Sequence, residues 1–191
     1  MIIIFCAFEV EARALVDKYK LSKKEDDEYK TFYNEDTLIL ISGMGQDNAQ
    51  KASEYFLLNY SHSQKDIFIN LGICAAHTIY KVGDIVQIKK LANEEESHLL
   101  KTANSSIKKV SCFSTKVPVS CPVNEDIAEM EAMSLYLALS PYFPKENMSF
   151  LKVVSDNFDC AKPNKDFIIS LFNNQFNEID THIKHLIKGL V

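Results

Sequence analysis

The sequence predicts an α/β fold, a three-layer α/β/α sandwich with a central, mainly parallel mixed sheet, and three observations predict it. Short apolar runs recur at 2–8, 37–42, 66–71, 84–89 and 149–155, several rich in β-branched residues, as buried strands are. Segments with apolar residues at helical spacing stand between them. No linker, internal repeat or low-complexity tract divides the 191 residues, so 1–191 reads as one domain with one sizeable core.

Taken in order, IIIFCAF (2–8) reads as a central strand. Residues 9–19 follow as a helix with Ala12, Leu15 and Val16 on one face. The charged stretch 20–30 reads as loop, and strands are expected near 31–33 and at 37–42, split by the turn-forming Asn34-Glu35-Asp36. Gly43-Met44-Gly45 ends the second of these and opens a helix over 46–59. The strand 66–71 leads into Gly72-Ile73-Cys74-Ala75-Ala76-His77, Val82-Gly83-Asp84 precedes the strand 84–89, and the polar 91–109 reads as loop. A strand at 109–114, a helix over 126–139, a strand at 149–155 and a helix over 164–190, broken near Asn173-Asn174, complete the chain.

Composition narrows the function. Hydrophobic residues make up 47% and charged residues 25%, and the net charge is −5. Nucleic acid is therefore not an expected partner, because general nucleic-acid binding needs a basic face. No stretch approaches the roughly 20 apolar residues of a transmembrane helix, and the start lacks the pattern of a signal peptide, so no membrane role is expected. Five scattered cysteines, Cys6, Cys74, Cys112, Cys121 and Cys160, include no CxxC pair. Reduced thiols in a cytoplasmic protein are expected, with no metal site and no cofactor.

Candidate chemistry gathers at strand ends, where α/β folds place ligands. Glu11 opens the first helix, where Glu9 and Glu11 also suit the helix dipole. Gly43 and Gly45 allow a tight turn at a helix N-terminus. Glu129, Met130 and Glu131 stand in AEMEA, and the two glutamates share no face on a continuous helix; an extended backbone there would instead aim Glu131 into a cleft. Ser155 and Asp156 follow FLKVV, where a desolvated carboxyl can act as a general acid. His182 and His185, three apart in the last helix, read as part of a polar helix surface, and His77 as a loop histidine.

The order AFEVEA, SGMG, INLGICAA, KVGDIV, AEMEA, VVSD resembles the purine nucleoside phosphorylase and nucleosidase superfamily over nearly all of 1–160. The nearest flavour is its methylthioadenosine/adenosylhomocysteine nucleosidase-like branch. The resemblance implies that Glu11 positions or activates an attacking water, and that Asp156 protonates purine N7 with Ser155 orienting it. It implies that Met130 and Glu131, with Glu129 beside them, hold the ribose. Gly43, Cys74, Ala75 and the segment holding Val117 and Val119 are implied to line the pocket, and a homodimer is implied as the assembly.

Three departures are visible. Ile73-Cys74-Ala75-Ala76-His77 replaces a glycine-rich turn, the segment 91–128 is shortened, and Val117-Pro118-Val119 stands where a base-contacting aromatic is usual. Phosphorolysis would call for arginines, which grip phosphate oxygens in pairs, and Arg13 on the first helix is the single arginine of the chain. Hydrolysis of a purine nucleoside is therefore expected. A phosphate-dependent phosphorylase and a shortened, non-catalytic nucleoside binder are the alternatives.

Overall fold

A computed structural model of the chain describes residues 1–103, 105–159 and 163–189. Cys160, and Leu190 at the end of the last expected helix, lie outside the described residues.

The first strand, β1 (Ile2–Cys6), is buried along its whole length and feeds two apolar clusters. Ile3 and Phe5 face one, and Ile2, Ile4 and Cys6 face the other. Side chains alternate across a strand, so a strand covered on both faces must be apolar throughout, and IIIFC is. On one face lie α1 (Glu9–Tyr19) and α4 (Lys165–Lys188), contributing Ala12, Leu15, Ile168, Phe172, Ile179 and Ile183. On the other lie α2 (Gln46–Asn59) and α3 (Ala132–Leu139), contributing Ala49, Phe56, Met133 and Leu135. These are the three layers the sequence predicts.

The remaining strands are β2 (Ser22–Lys23), β3 (Thr31–Tyr33), β4 (Thr37–Ile41), β5 (Ile67–Ala76), β6 (Ile85–Ala92), β7 (Ser97–Leu99), β8 (Lys108–Ser114), β9 (Ile127–Glu129) and β10 (Met148–Asp156). They run β2–β3–β4–β1–β5–β9–β8–β6–β10, and β10 pairs again with β5, while β7 pairs with β6. Strands β5, β9, β8, β6 and β10 thus close a ring. The sheet is mixed: β4–β1–β5–β10, β6–β8 and β8–β9 are parallel, and the other pairings are antiparallel.

Several local expectations change. The strand β5 continues through 73–76, because Ala75 and Ala76 pair with Ala128 and Ile127 and the carbonyls gain partners a turn would leave unused. The expected helix over 126–139 starts only at Ala132, since β9 is claimed by β5 on one side and β8 on the other. The short strands β2 and β7 occupy expected loops, each held by one antiparallel neighbour. Asn173 and Asn174 do not break α4, whose N-terminus is capped by the Asn164 side chain accepting from Phe167 N at 2.8 Å.

Candidate active site

Glu11 is the third residue of α1 and is 1% exposed. Its Oε2 accepts from Phe8 N at 2.8 Å, the amide just before the helix, and its Oε1 accepts from Ile73 N of β5 at 3.1 Å. Two amides from separate elements therefore fix one carboxyl group. Burial raises its pKa to about 7, with help from the Glu131 charge, while the two amides and Lys152 pull the other way. Glu9 differs: it is an exposed partner of Lys30 at 2.6 Å and of Arg13 at 3.9 Å, as a surface acidic residue at a helix start should be.

The segment AEMEA gains its geometry from the β9-to-α3 junction. Extended backbone up to Glu129 and helix from Ala132 let the two glutamates converge, as a continuous helix would not. Glu129 Oε2 accepts from Glu131 N at 2.9 Å and Ala132 N at 2.8 Å, satisfying amides at the start of α3. Glu131 Oε1 accepts from Gly45 N at 2.8 Å. Gly43 and Gly45, with φ of 84° and 93°, hold the left-handed turn that presents this amide, a conformation glycine adopts without steric cost. Gly43 itself donates to Ala7 O at 3.2 Å, and Met130 is half-buried between the glutamates.

The group that joins these residues is Lys152, on β10. It is 0% exposed, and its Nζ lies 2.9 Å from Glu129 Oε2 and 3.9 Å from Glu131 Oε2. Opposite it in the β5–β10 ladder is Gly72. A Cβ there would stand 3.3 Å from both Lys152 Nζ and Glu11 Oε1, so the missing side chain leaves room for both charged groups. Burial opposes the charge on Lys152, but Glu129, Glu131 and Glu11 outweigh it and hold its pKa above the usual range. Burial also pushes Glu129 up, yet Lys152, the Ser114 hydroxyl and the Glu131 amide bring it below the usual range. Glu131 ends above that range through burial and the Glu129 charge, against Lys152. Sequence reasoning missed Lys152; the one visible signal was a lysine inside the apolar run FLKVV.

Asp156 stands apart from this quartet at the end of β10, just past an irregularity in the ladder. It is opposite Ala75, which on its other side is opposite Ala128. Two strand spacings, roughly 10 Å, thus separate the backbones of Asp156 and the residue before Glu129. Asp156 Oδ1 accepts from Phe158 N at 3.0 Å, and its Oδ2 is 2.8 Å from Ser155 Oγ, which is also 3.1 Å from Cys74 O. One hydroxyl proton faces two acceptors there. A proton on Asp156 Oδ2 would complete a chain from carboxyl to Ser155 hydroxyl to Cys74 carbonyl. Phe158 sits at φ 65°, costing about 1–2 kcal/mol for a residue with a side chain.

The other expected lining residues divide. Val117 and Val119, with Gln46, Phe113, Ser114 and Thr115, line a cavity of about 150 Å³. It adjoins the quartet through Thr115 N, which donates to Glu129 O at 2.8 Å. The Ala75 backbone spans β9 and β10, whereas the Cys74 side chain packs into an apolar cluster and only its carbonyl meets Ser155. Burial raises the Cys74 thiol well above its ordinary range.

Outside the site, Arg13 pairs with Asp17 at 3.2 Å on the surface, and His77 Nε2 lies 2.9 Å from Val123 O in a loop. His182 corrects the reading of a polar helix surface: it is 0% exposed, with Nε2 2.8 Å from Ser149 Oγ, which accepts from Gln87 Nε2 at 3.1 Å. Among the described residues, no group of three or more His, Cys, Asp or Glu could hold a metal ion, and no helix is long and apolar enough to cross a membrane.

No family model matches the sequence, and no curated protein sequence does. Solved structures do match. The 5′-methylthioadenosine/S-adenosyl homocysteine nucleosidase of Campylobacter jejuni superposes with a TM-score of 0.76 at 17% identity, over 98% of this chain and 98% of that one. The 5′-methylthioadenosine nucleosidase of Arabidopsis thaliana superposes with a TM-score of 0.80 at 14% identity, over 97% and 95%. The Helicobacter pylori 5′-methylthioadenosine/S-adenosylhomocysteine nucleosidase, solved with butyl-thio-DADMe-Immucillin-A, gives a TM-score of 0.76 at 12% identity, over 96% and 97%. The fold is thus shared over nearly all of the chain, and the protein has the nucleoside phosphorylase-like fold of the methylthioadenosine/adenosylhomocysteine nucleosidases.

Proposed function

We propose that this chain, acting as one domain, hydrolyses the N-glycosidic bond of a purine nucleoside of the methylthioadenosine/adenosylhomocysteine kind. The observation that carries the reading is the contrast between two carboxyl groups. Glu11 is buried and fixed by two amides, and its pKa is raised to about 7, while Asp156 is half-exposed beside a serine on the far side of Ala75. Glycosidic cleavage needs such a pair, one group to take a proton and one to give it.

In this mechanism Glu11 takes a proton from water as the water oxygen bonds to C1′ of the ribose. The C1′–N9 bond breaks and its electron pair goes to the purine. Asp156, steered by the Ser155 hydroxyl and the Phe158 amide, gives its proton to N7. Glu131, with Met130 against the sugar and Glu129 bracing the junction, accepts from the ribose hydroxyls. Lys152 keeps Glu129 ionised. Val117 and Val119 border the space for the rest of the ligand.

Water is favoured over phosphate by charge. Arg13 is bound by surface carboxylates, and Lys152 is enclosed by three buried ones, so a phosphate would meet net negative charge. We also place the protein in the cytoplasm as a homodimer. The free thiols Cys6, Cys74, Cys112 and Cys121 suit a reducing compartment, and the exposed Met44, Leu137 and Tyr142 suit a second copy.

The test is free-base release from a panel of purine nucleosides, methylthioadenosine and adenosylhomocysteine included, with and without phosphate. Release without phosphate supports the reading. Strict dependence on phosphate makes the chain a phosphorylase, and binding without release makes it a non-catalytic homologue.

A further inference from the structure

We propose that Asn157 is a positioning residue for the Asp156 carboxyl, an assignment that rests on the nucleosidase reading above. Asn157 follows Asp156 directly, where β10 has left its regular pairing with β5. Its side-chain amide lies within hydrogen-bond reach of three carbonyls of the adjacent segment 76–80: Ala76 O at 2.9 Å, Tyr80 O at 3.2 Å and His77 O at 3.4 Å. Two amide protons are shared among three acceptors that converge from the end of β5 and the turn after it. The side chain thereby replaces the ladder that the backbone has stopped making.

The location of this clasp gives it its consequence. Asp156 precedes it and Phe158, in the left-handed region at φ 65°, follows it. The Phe158 amide is the donor to Asp156 Oδ1, and the Phe158 ring packs edge-on against His77, centroids 5.6 Å apart. Such a backbone conformation persists only where its surroundings over-determine it. Asn157 and the His77 ring supply that constraint, and its product is an amide aimed at one carboxyl oxygen. Released from the clasp, Phe158 would return to negative φ and its amide would swing away, leaving the acid, among the described residues, to Ser155. Asn157 reaches no reacting atom; it acts through Phe158 and Asp156.

The experiment compares wild type and Asn157→Ala on two substrates, a purine nucleoside and p-nitrophenyl riboside, whose leaving group departs without protonation. The purine nucleoside kcat should fall roughly 30- to 100-fold with KM unchanged, as expected for a misaimed acid. The rate on p-nitrophenyl riboside should stay within about threefold, because that reaction does not use the acid. Asn157→Ser, which keeps one donor, should lose less on the purine substrate, and it carries the comparison if the alanine variant does not fold. Equal losses on both substrates, losses that track a lowered melting temperature, or no loss would overturn the assignment while leaving the nucleosidase reading intact. A wild-type protein that cleaves neither substrate would remove that reading, and this assignment with it.

Discussion

Lys152 Nζ and Glu129 Oε2 are 2.9 Å apart with both side chains out of solvent, one on β10 and the other at the end of β9. Neither could be buried alone, since an isolated ion in an apolar interior costs several kcal/mol after relaxation. Lys152→Met should therefore destabilise the fold by about 3–5 kcal/mol in urea unfolding. The double variant Lys152→Met/Glu129→Gln should recover part of that loss, because the carboxylate nearest to Lys152 is neutralised with it. A double variant no more stable than the single one would show that the pair is not what holds this junction.

Glu11→Gln should separate activity from stability. Activity should fall by about 10²–10⁴ if the carboxylate is the base. The folded pKa is raised from 4.5 to about 7, so between those values the folded state binds more protons than the unfolded one, and stability falls as pH rises through that window. Glutamine sets an NH2 against one of the two backbone amides that Glu11 accepts, which costs the variant stability at every pH. Wild type alone also bears the ionised, buried carboxylate at pH 8, so between pH 4.5 and pH 8 the stability of the variant relative to wild type should shift by about 3 kcal/mol in the variant's favour. Wild-type kcat/KM should rise with pH through about 7 as Glu11 ionises; a flat profile there would exclude Glu11 as the base.

Asp156→Asn should lose about 10²–10⁴ in purine nucleoside cleavage with little change in melting temperature. Asparagine can keep both local bonds, accepting from Phe158 N and donating to Ser155 Oγ, while losing the acidic proton. Retained turnover would move the acid elsewhere.

Gly72→Ala tests whether the space at the quartet is used. The added methyl would lie 3.3 Å from both Glu11 Oε1 and Lys152 Nζ, so one of them must yield by a few tenths of an ångström. A loss of about 1–2 kcal/mol in stability and about tenfold in kcat is expected. A variant matching wild type in both would mean that the two groups tolerate displacement.

His182 predicts an acid-sensitive dock for α4. Its pKa falls from 6.5 to about 4 through burial, with Lys109 and His185 adding to the effect. Between these values the unfolded chain takes the proton and the folded one does not, so stability falls as pH drops from 6.5 towards 4. The contribution is about 3 kcal/mol at most. Melting curves of His182→Gln should show a shallower acid slope than wild type, and an identical slope would assign the acid sensitivity to other groups.

The layers were legible in the sequence because β1, β4 and the α2 segment 46–59 follow local rules: continuous apolar runs for doubly covered strands and helical spacing for the helix. Glu11, Glu131 and Asp156 could be singled out as candidates because each stands at a strand end or helix start. Lys152 was hidden, since a lone charge within an apolar strand reveals its position but not its partners, which come from residues 20 or more positions away. The β9 strand and the last residues of β5 were hidden for a related reason. Their conformation is chosen by neighbours distant in sequence, and ALA-rich or AEMEA-like text is equally acceptable to a helix or a turn. His182 looked like a surface residue because its hydrogen-bond partner, Ser149, lies 33 positions earlier.

The closed ring of β5, β9, β8, β6 and β10 also bears on how the protein comes into being. β10 docks beside β5 some 80 residues after it is made, and Lys152 travels with it. Until that late strand arrives, Gly72 and Glu129 face no ammonium, so the circuit cannot be completed in pieces. Closure of such distant segments is entropically slow. Activity should therefore emerge on refolding with the final kinetic phase and not before it, and a chain stalled ahead of that step would have its helices formed but no chemistry.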